Sequence, residues 1–285
     1  MNALIDEIMT RKGMPILIGI FVLLVIMESV SHLRARKENR IKRAIINSGV
    51  AIPGFVALRL VLLPSMIWIA YKNQEWKIGL NYLYELPLWL EGAIVFLLLD
   101  YTNYLWHILN HRVSWLWRFH IVHHTDVDLD VTTAIRFHAG EMIWSVFYRG
   151  FAVFILGASP LMVLIYEIVF EAATQFHHSN WKLPFRLEKF LNRFIVTPRM
   201  HGIHHSIVRK ETDSNYSVIF SFWDRIHRTI NLGIAQDQIV TGVHVYSNPK
   251  ELTVRYLLKL PFTNIREWKD DTPSRTADHK NELQP

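Results

Sequence analysis

The sequence predicts an all-α integral membrane bundle of about three spans plus a helical hairpin, carrying a cytoplasmic histidine-rich di-metal cap. Three observations lead there. Of 285 residues 51% are hydrophobic and ten are tryptophan, and the mean hydropathy is positive, which together favour a membrane chain over a soluble domain. Several apolar stretches reach the roughly 20 residues that a helix needs to cross the hydrocarbon. Finally, His107, His111, His120, His123 and His124 crowd into one eighteen-residue window, where fifteen evenly spread histidines would place about one.

The first apolar stretch, residues 14–31, is interrupted only by Glu28. A basic block rather than a small-residue cleavage site follows it, so it reads as a retained anchor and not a signal peptide. The second, 51–71, contains Arg59 and Pro64, and the third is 87–106. A fourth region, 143–176, breaks at Gly157, Ser159 and Pro160 into a hairpin with rather short arms. Arg34, Arg36, Lys37, Arg40, Lys42 and Arg43 outnumber Arg11 and Lys12 across the first span, which puts its far end in the cytoplasm. Alternation then carries every histidine cluster to that same face. The division expected is an anchor over 1–86, a membrane-embedded catalytic region over 87–269, and a polar, disordered tail over 270–285.

The charge of +6 suits basic loops against anionic lipid. No basic stripe interleaved with aromatics points to nucleic acid. The chain has no cysteine, which excludes disulfides, thiol catalysis and cysteine-held clusters. Trp106, Trp115, Trp117 and Trp144 read as markers of the membrane interface.

His107 and His111 lie one turn apart on the continuation of the third span. In His120-Ile-Val-His123-His124, positions 120 and 124 share a helix face and 123 sits about 60° round it, so one turn can serve two neighbouring metals. Met200-His201-Gly-Ile-His204-His205 repeats that triangle. A ninth imidazole comes from His177 or His178. So many nitrogens exceed what one ion accepts, and an all-imidazole set suits iron, zinc, copper or nickel rather than magnesium or calcium. Asp100, Arg136, His138, Glu141, Asn215 and Asp224 are candidates to orient the cluster from outside, with Asp126, Asp128 and Glu171 behind them. No H-E-x-x-H or Glu-x-x-His motif is present.

With these residues the chain resembles the fatty acid hydroxylase and sterol desaturase superfamily of integral membrane di-iron enzymes. The family's H-x-x-x-H, H-x-x-H-H, H-x-x-H-H series matches His107/His111, His120/His123/His124 and His201/His204/His205 in order. Asp100, Arg136-Phe-His138, Phe176-x-His178-x-Asn180, Thr197-Pro198-Arg199, Asn215-Tyr216 and Trp223-Asp224-Arg225 with Thr229 extend the likeness over 87–231, about half the chain. The resemblance implies that these eight histidines and His178, preferred over His177, hold two irons, for which zinc is a substitute. No catalytic residue beyond that centre is implied.

It further implies dioxygen as co-substrate and an external electron donor, a separate redox partner. The outcome is hydroxylation or desaturation of a sterol, fatty acyl or related membrane lipid. Two departures stand out. Thr174 occupies a position where some hydroxylases carry a further histidine, and His227-Arg228-Thr229 replaces the usual Phe-Gly-Thr. Two other readings of the histidines remain: a zinc-dependent lipid hydrolase with Glu141 as base, and a non-catalytic membrane protein holding haem or zinc.

Overall fold

The computed structural model describes residues 12–268; Arg11, His279 and the tail from Asp270 lie outside the described residues. Seven long or central helices form the frame: α1 Gly13–Val30, α2 Arg40–Ala57, α3 Leu63–Trp76, α4 Leu88–Arg112, α5 Ser114–His124, α6 Ala139–Leu156 and α7 Pro160–His178. Five short ones follow: α8 Phe185–Leu191, α9 Pro198–His204, α10 Arg209–Thr212, α11 Phe222–His227 and α12 Val254–Lys259. No strand occurs among the described residues, only isolated bridges.

Four helical stretches are long and apolar enough to cross a membrane: Gly13–Val30, Arg40–Tyr82, Leu88–Arg112 and Ala139–Leu156. Ile16, Val22, Ile26, Ile45, Ile52, Phe147 and Phe151 lie exposed along them. An exposed apolar belt of this kind is stable only against lipid, and the chain is an integral membrane protein. The first hairpin arm is longer than the apolar run implies, because it starts at His138, whose Nδ1 caps the helix by accepting the Gly140 N–H at 2.9 Å. The second arm, α7, is 19 residues long but carries Glu167, Glu171 and Gln175 on its inner side.

The second apolar stretch is likewise part of a longer helix. It runs from Asn39, which caps Lys42 N–H at 3.0 Å, through a π-helical turn at Leu58–Leu62 into α3. Such a turn inserts one extra residue and often marks a functional position. At the far end Gly157, with φ +73, turns α6 into α7 and lies against Gly79 of the loop after α3, where any Cβ would collide. Core packing there is apolar, with Leu62, Met66, Ala70, Leu99, Val153 and Tyr166 buried together.

At the other end the chain is held by charge. Glu28, the lone acid of the first span, is fully buried. It pairs with Arg40 and accepts the backbone N–H groups of Val131 at 3.1 Å and Asn180 at 2.9 Å. Arg43 lies between Asp126 at 2.7 Å and Asp130 at 2.5 Å and donates to the Asp128 carbonyl. Burial alone would raise the Asp126 carboxyl, but Arg43 and Arg136 outweigh it and hold the group down at about 2. Four members of the basic block, Arg34, Arg36, Arg40 and Arg43, are engaged in internal bonds.

Glu28→Ala removes the acceptor of two buried N–H groups and the partner of Arg40. It is expected to cost about 3 kcal/mol, visible as a lowered Tm in detergent; an unchanged Tm would show that this hub carries no stability.

Candidate metal centre

The structure brings nine histidines together at the membrane end where Glu28 and Arg43 lie. His107, His111, His120, His124 and His204 form one buried group; His123, His178, His201 and His205 form another. Within each group one ring nitrogen per residue lies within 4.8 Å of all the others. The triplets exchange members. His120 and His124, one turn apart on α5, join the first group and His123 the second; His201 and His205 join the second group and His204 the first. This follows from the 100° step of the helix, which turns the middle histidine toward the neighbouring cluster.

Hydrogen bonds fix which nitrogen faces inward. His107 Nδ1–H donates to the Tyr216 carbonyl, His204 Nδ1–H to Ser214 and His178 Nδ1–H to Thr174, each at 2.7 Å. A carbonyl only accepts, so each of these rings is the Nδ1–H tautomer with a bare Nε2 lone pair. His120 Nδ1 meets Glu141 Oε1 at 3.0 Å and presents Nε2 in the same way. The Nε2 atoms then converge: His178 is 3.0 Å from both His123 and His201, His201 is 3.1 Å from His205, and His120 is 3.2 Å from His124. The Nε2 atoms of His111 and His204 are buried without any partner.

Packed lone pairs and orphaned acceptors need a cation between them. For a metal–nitrogen bond of about 2.1 Å, separations near 3 Å are those of neighbouring ligands at right angles. The histidine clusters thus fit a metal centre. Burial first, and then the neighbouring imidazoles, push His123, His124, His201, His204 and His205 well below the ordinary value of 6.5. The rings are neutral and ready to coordinate.

The outer residues divide by what they touch. Glu141 alone of the six bonds an imidazole directly. Arg136 closes the end of α5 by donating to the Val122 carbonyl at 2.9 Å and to Thr125 and Asn47. Asp224 accepts the N–H groups of Tyr216 at 2.8 Å and Ser217 at 2.9 Å, and so shapes the segment whose carbonyls at 214 and 216 hold His204 and His107. Asp100 accepts from Trp223 Nε1 at 2.8 Å and Phe220 N–H, anchoring that segment from α4. Asn215, at φ +55, ties it to the Met200 and Asn231 carbonyls. His138 caps α6 and joins neither group.

His177 also stands outside both groups. Its Nδ1 meets the Val218 carbonyl at 3.1 Å, and its ring lines a cavity shared with His107, His120, His123, His178 and His201. Sequence reasoning missed the backbone carbonyls entirely, since no side chain announces them. It also assigned Trp106 to the interface, whereas Trp106 lines the cavity; Trp117 packs on His111, and Trp115 meets Trp144 edge-to-face at the surface. The unusual His227-Arg228 is now explained. His227 stacks on Tyr101 and Tyr104 as an aromatic residue would, and Arg228, at φ +58, takes the left-handed position that favours glycine.

Fold and site together define a histidine-rich membrane protein with a domain of the fatty acid hydroxylase family, whose model matches residues 92–229. Among its relatives, cholesterol 25-hydroxylase of Homo sapiens is 30% identical over 154 residues, 51% of this chain and 53% of that protein. Alkylglycerol monooxygenase of Homo sapiens is 29% identical over 244 residues, 82% of this chain and 50% of that protein. The ornithine lipid hydroxylase OlsE of Rhizobium tropici is 30% identical over 149 residues, 51% and 43% respectively. The chain spans about half the length of the curated relatives it matches. No solved structure matches it.

Two outcomes are expected. His178→Ala should lower bound metal, measured by elemental analysis, far more than His177→Ala; the reverse order would reject the grouping. In metal-free protein the depressed imidazoles bind no protons that the unfolded chain would take below about 6.5. Stability is therefore full above that pH and lost as pH falls below it, at about 1.4 kcal/mol per pH unit for each such histidine. Thermal unfolding between neutral and mildly acid pH reads this slope, and a flat profile would contradict it.

Proposed function

We propose that the chain is a dioxygen-dependent membrane lipid hydroxylase that holds two irons on His107, His111, His120, His124 and His204 and on His123, His178, His201 and His205. The observation that carries this reading is the cavity of about 100 Å³ bordered by both histidine groups and walled by Trp106, Phe137, Met142, Phe170 and Val218. When bound, the metal pair supplies the reduction of dioxygen to an oxidant strong enough to remove hydrogen from an unactivated C–H bond. The protein's residues do the rest. The carbonyls of Ser214, Tyr216 and Thr174 and the Glu141 carboxylate keep four imidazoles in one tautomer and orientation. The apolar wall keeps water from the reacting carbon, and the lateral cavities beside α1 and α2 admit a chain from the bilayer.

Hydroxylation rather than desaturation is favoured by the relatives, whose names are those of hydroxylases and monooxygenases. Electrons come from a separate redox partner, because the chain has no cysteine for an iron–sulfur centre and no glycine-rich dinucleotide motif. The site faces the cytoplasm, where Arg36, Lys37 and Lys42 near the α1 exit meet anionic lipid.

Protein purified from iron-replete cells should carry close to two irons per chain and yield, under air but not nitrogen, a lipid product heavier by one oxygen. His204→Ala and His123→Ala should each reduce turnover by at least about a thousandfold and lower the metal content while the chain still inserts in the membrane. Product formation without oxygen would replace this reading with hydrolysis.

A further inference from the structure

After α7 ends at His178, the chain turns back alongside α4. Ser221 N–H donates to the Phe194 carbonyl and Val196 N–H to the Ile219 carbonyl, each at 3.0 Å, and Ile195 bridges Phe220. Ile219 is buried with Leu99 of α4 and with Val163 and Tyr166 of α7. Phe220 N–H reaches Asp100, which precedes His107 by seven residues, about 10 Å along the helix. The flanking helices α8 and α11 therefore lie beside the histidine-bearing half of a span rather than beyond its end.

Both helices have two unlike sides. Leu187, Phe190 and Phe194 recur at i, i+3 and i+7, one face of α8 and of the turn that continues it. With Ile226 of α11 they are 45%, 55%, 54% and 63% exposed, and the two phenylalanine rings lie 5.6 Å apart. Arg186, Lys189 and Arg193 repeat that spacing one position earlier, so a row of cations borders the apolar row. These three, Lys182 and Arg228 are exposed and form no ion pair among the described residues. Residues 181–195 and 219–230 contain two acids, Glu188 and Asp224, and both are fully buried on the inner side. Glu188 accepts Arg199 N–H at 3.0 Å and its Nε–H at 2.7 Å, at the start of the α9 helix of His201 and His204. Asp224 holds the segment whose carbonyls orient His107 and His204. Arg225 joins the two helices, its Nη2 donating to the Asn192 carbonyl at 3.2 Å.

We propose that α8 and α11 form a docking surface for an anionic phospholipid leaflet, and that seating there steadies the two backbone segments that position His107, His201, His204 and His205. An amphipathic element in the interface buries its apolar side among acyl chains and sets its cations among the phosphates. Here the exposed side offers five cations and no acid, and each cation adds to the attraction. A neutral leaflet would cover the phenylalanines and leave the charges unmatched. A soluble protein would have to reach the depth of Asp100 to cover the same side chains. Lipid held on the outer side of α8 and α11 opposes displacement of the carboxylates on the inner side, so leaflet and metal stabilise each other's binding. Nothing in this depends on which reaction the metals support.

The chain has no cysteine, so a single nitroxide label reports the depth of one position. Phe190→Cys, Ile226→Cys and, as an aqueous reference, Lys250→Cys are labelled in the zinc-loaded full chain, in nanodiscs of phosphatidylcholine with or without phosphatidylglycerol. In the mixed discs the labels at 190 and 226 should collide more with oxygen, which partitions into acyl chains, than with a water-soluble nickel chelate. The label at 250 should do the reverse. Stripping of zinc by a chelator, followed with a colorimetric indicator, should be at least about threefold slower with phosphatidylglycerol than without it. Arg186→Gln, Lys189→Gln and Arg193→Gln combined should abolish that difference while keeping the rate in pure phosphatidylcholine, which separates lost lipid contact from damage to the centre. Labels at 190 and 226 that behave like the one at 250 overturn the proposal and leave the face to a soluble partner. Zinc loss indifferent to phosphatidylglycerol in wild type, or equally dependent on it in the triple variant, overturns it too.

Discussion

Everything at the membrane end of this protein depends on keeping the Nε2 lone pairs of adjacent imidazoles pointed at one another. Left to themselves such rings would rotate, exchange tautomers or take up protons. The fold prevents this by giving Nδ1–H a carbonyl to bond, as at His107, His178 and His204. Those carbonyls must themselves be placed. For His107 and His204 that falls to the segment from Ser214 to Ser217, which Asp224 holds by two N–H groups and Asp100 secures through Trp223. Asp100 and Asp224 act on these two histidines through the backbone, at one remove, whereas Glu141 bonds His120 directly.

The same requirement explains charged residues inside otherwise apolar helices. A buried carboxylate such as Glu28 is expensive in a membrane helix, and its burial is tolerable because it collects Arg40 and two N–H groups from the loops before α6 and after α7. One of those donors, Asn180, follows His178 by two residues. Arg43 does the equivalent for the turn after α5, through Asp126 and Asp130. The first two helices thus do more than anchor the chain in lipid; they clamp the ends of the two helices that present His123 and His178.

Much of this was legible in the sequence because helix periodicity is a local code. The spacing of His120, His123 and His124 fixes their directions before any tertiary contact is known, and the two-cluster arrangement follows from it. Span positions were legible from apolar runs, but their ends were not, since caps such as Asn39 and His138 lie outside those runs. Hidden altogether were relations that depend on distant segments meeting. Glu28 looked like a blemish in a span, Arg43 like one more cytoplasmic charge, and Trp106 like an interface marker. The left-handed Arg228 and the π-helical turn at Leu58 carry no residue type that would announce them.

The groups differ in size, five nitrogens against four, and Thr174 lies at the difference. It stands one turn before His178 on the same face of α7, where an imidazole would reach toward the smaller group. Instead its hydroxyl turns back to the Phe170 carbonyl at 2.8 Å, and its side chain lines the cavity. The smaller group is thereby left one protein nitrogen short on the side from which the cavity approaches. On the proposed reading that difference has chemical meaning, because an open position separates a reactive metal site from a structural one. Thr174 lies on α7 itself and borders the cavity, so its distance from His178 is set by helical rise rather than by a loop.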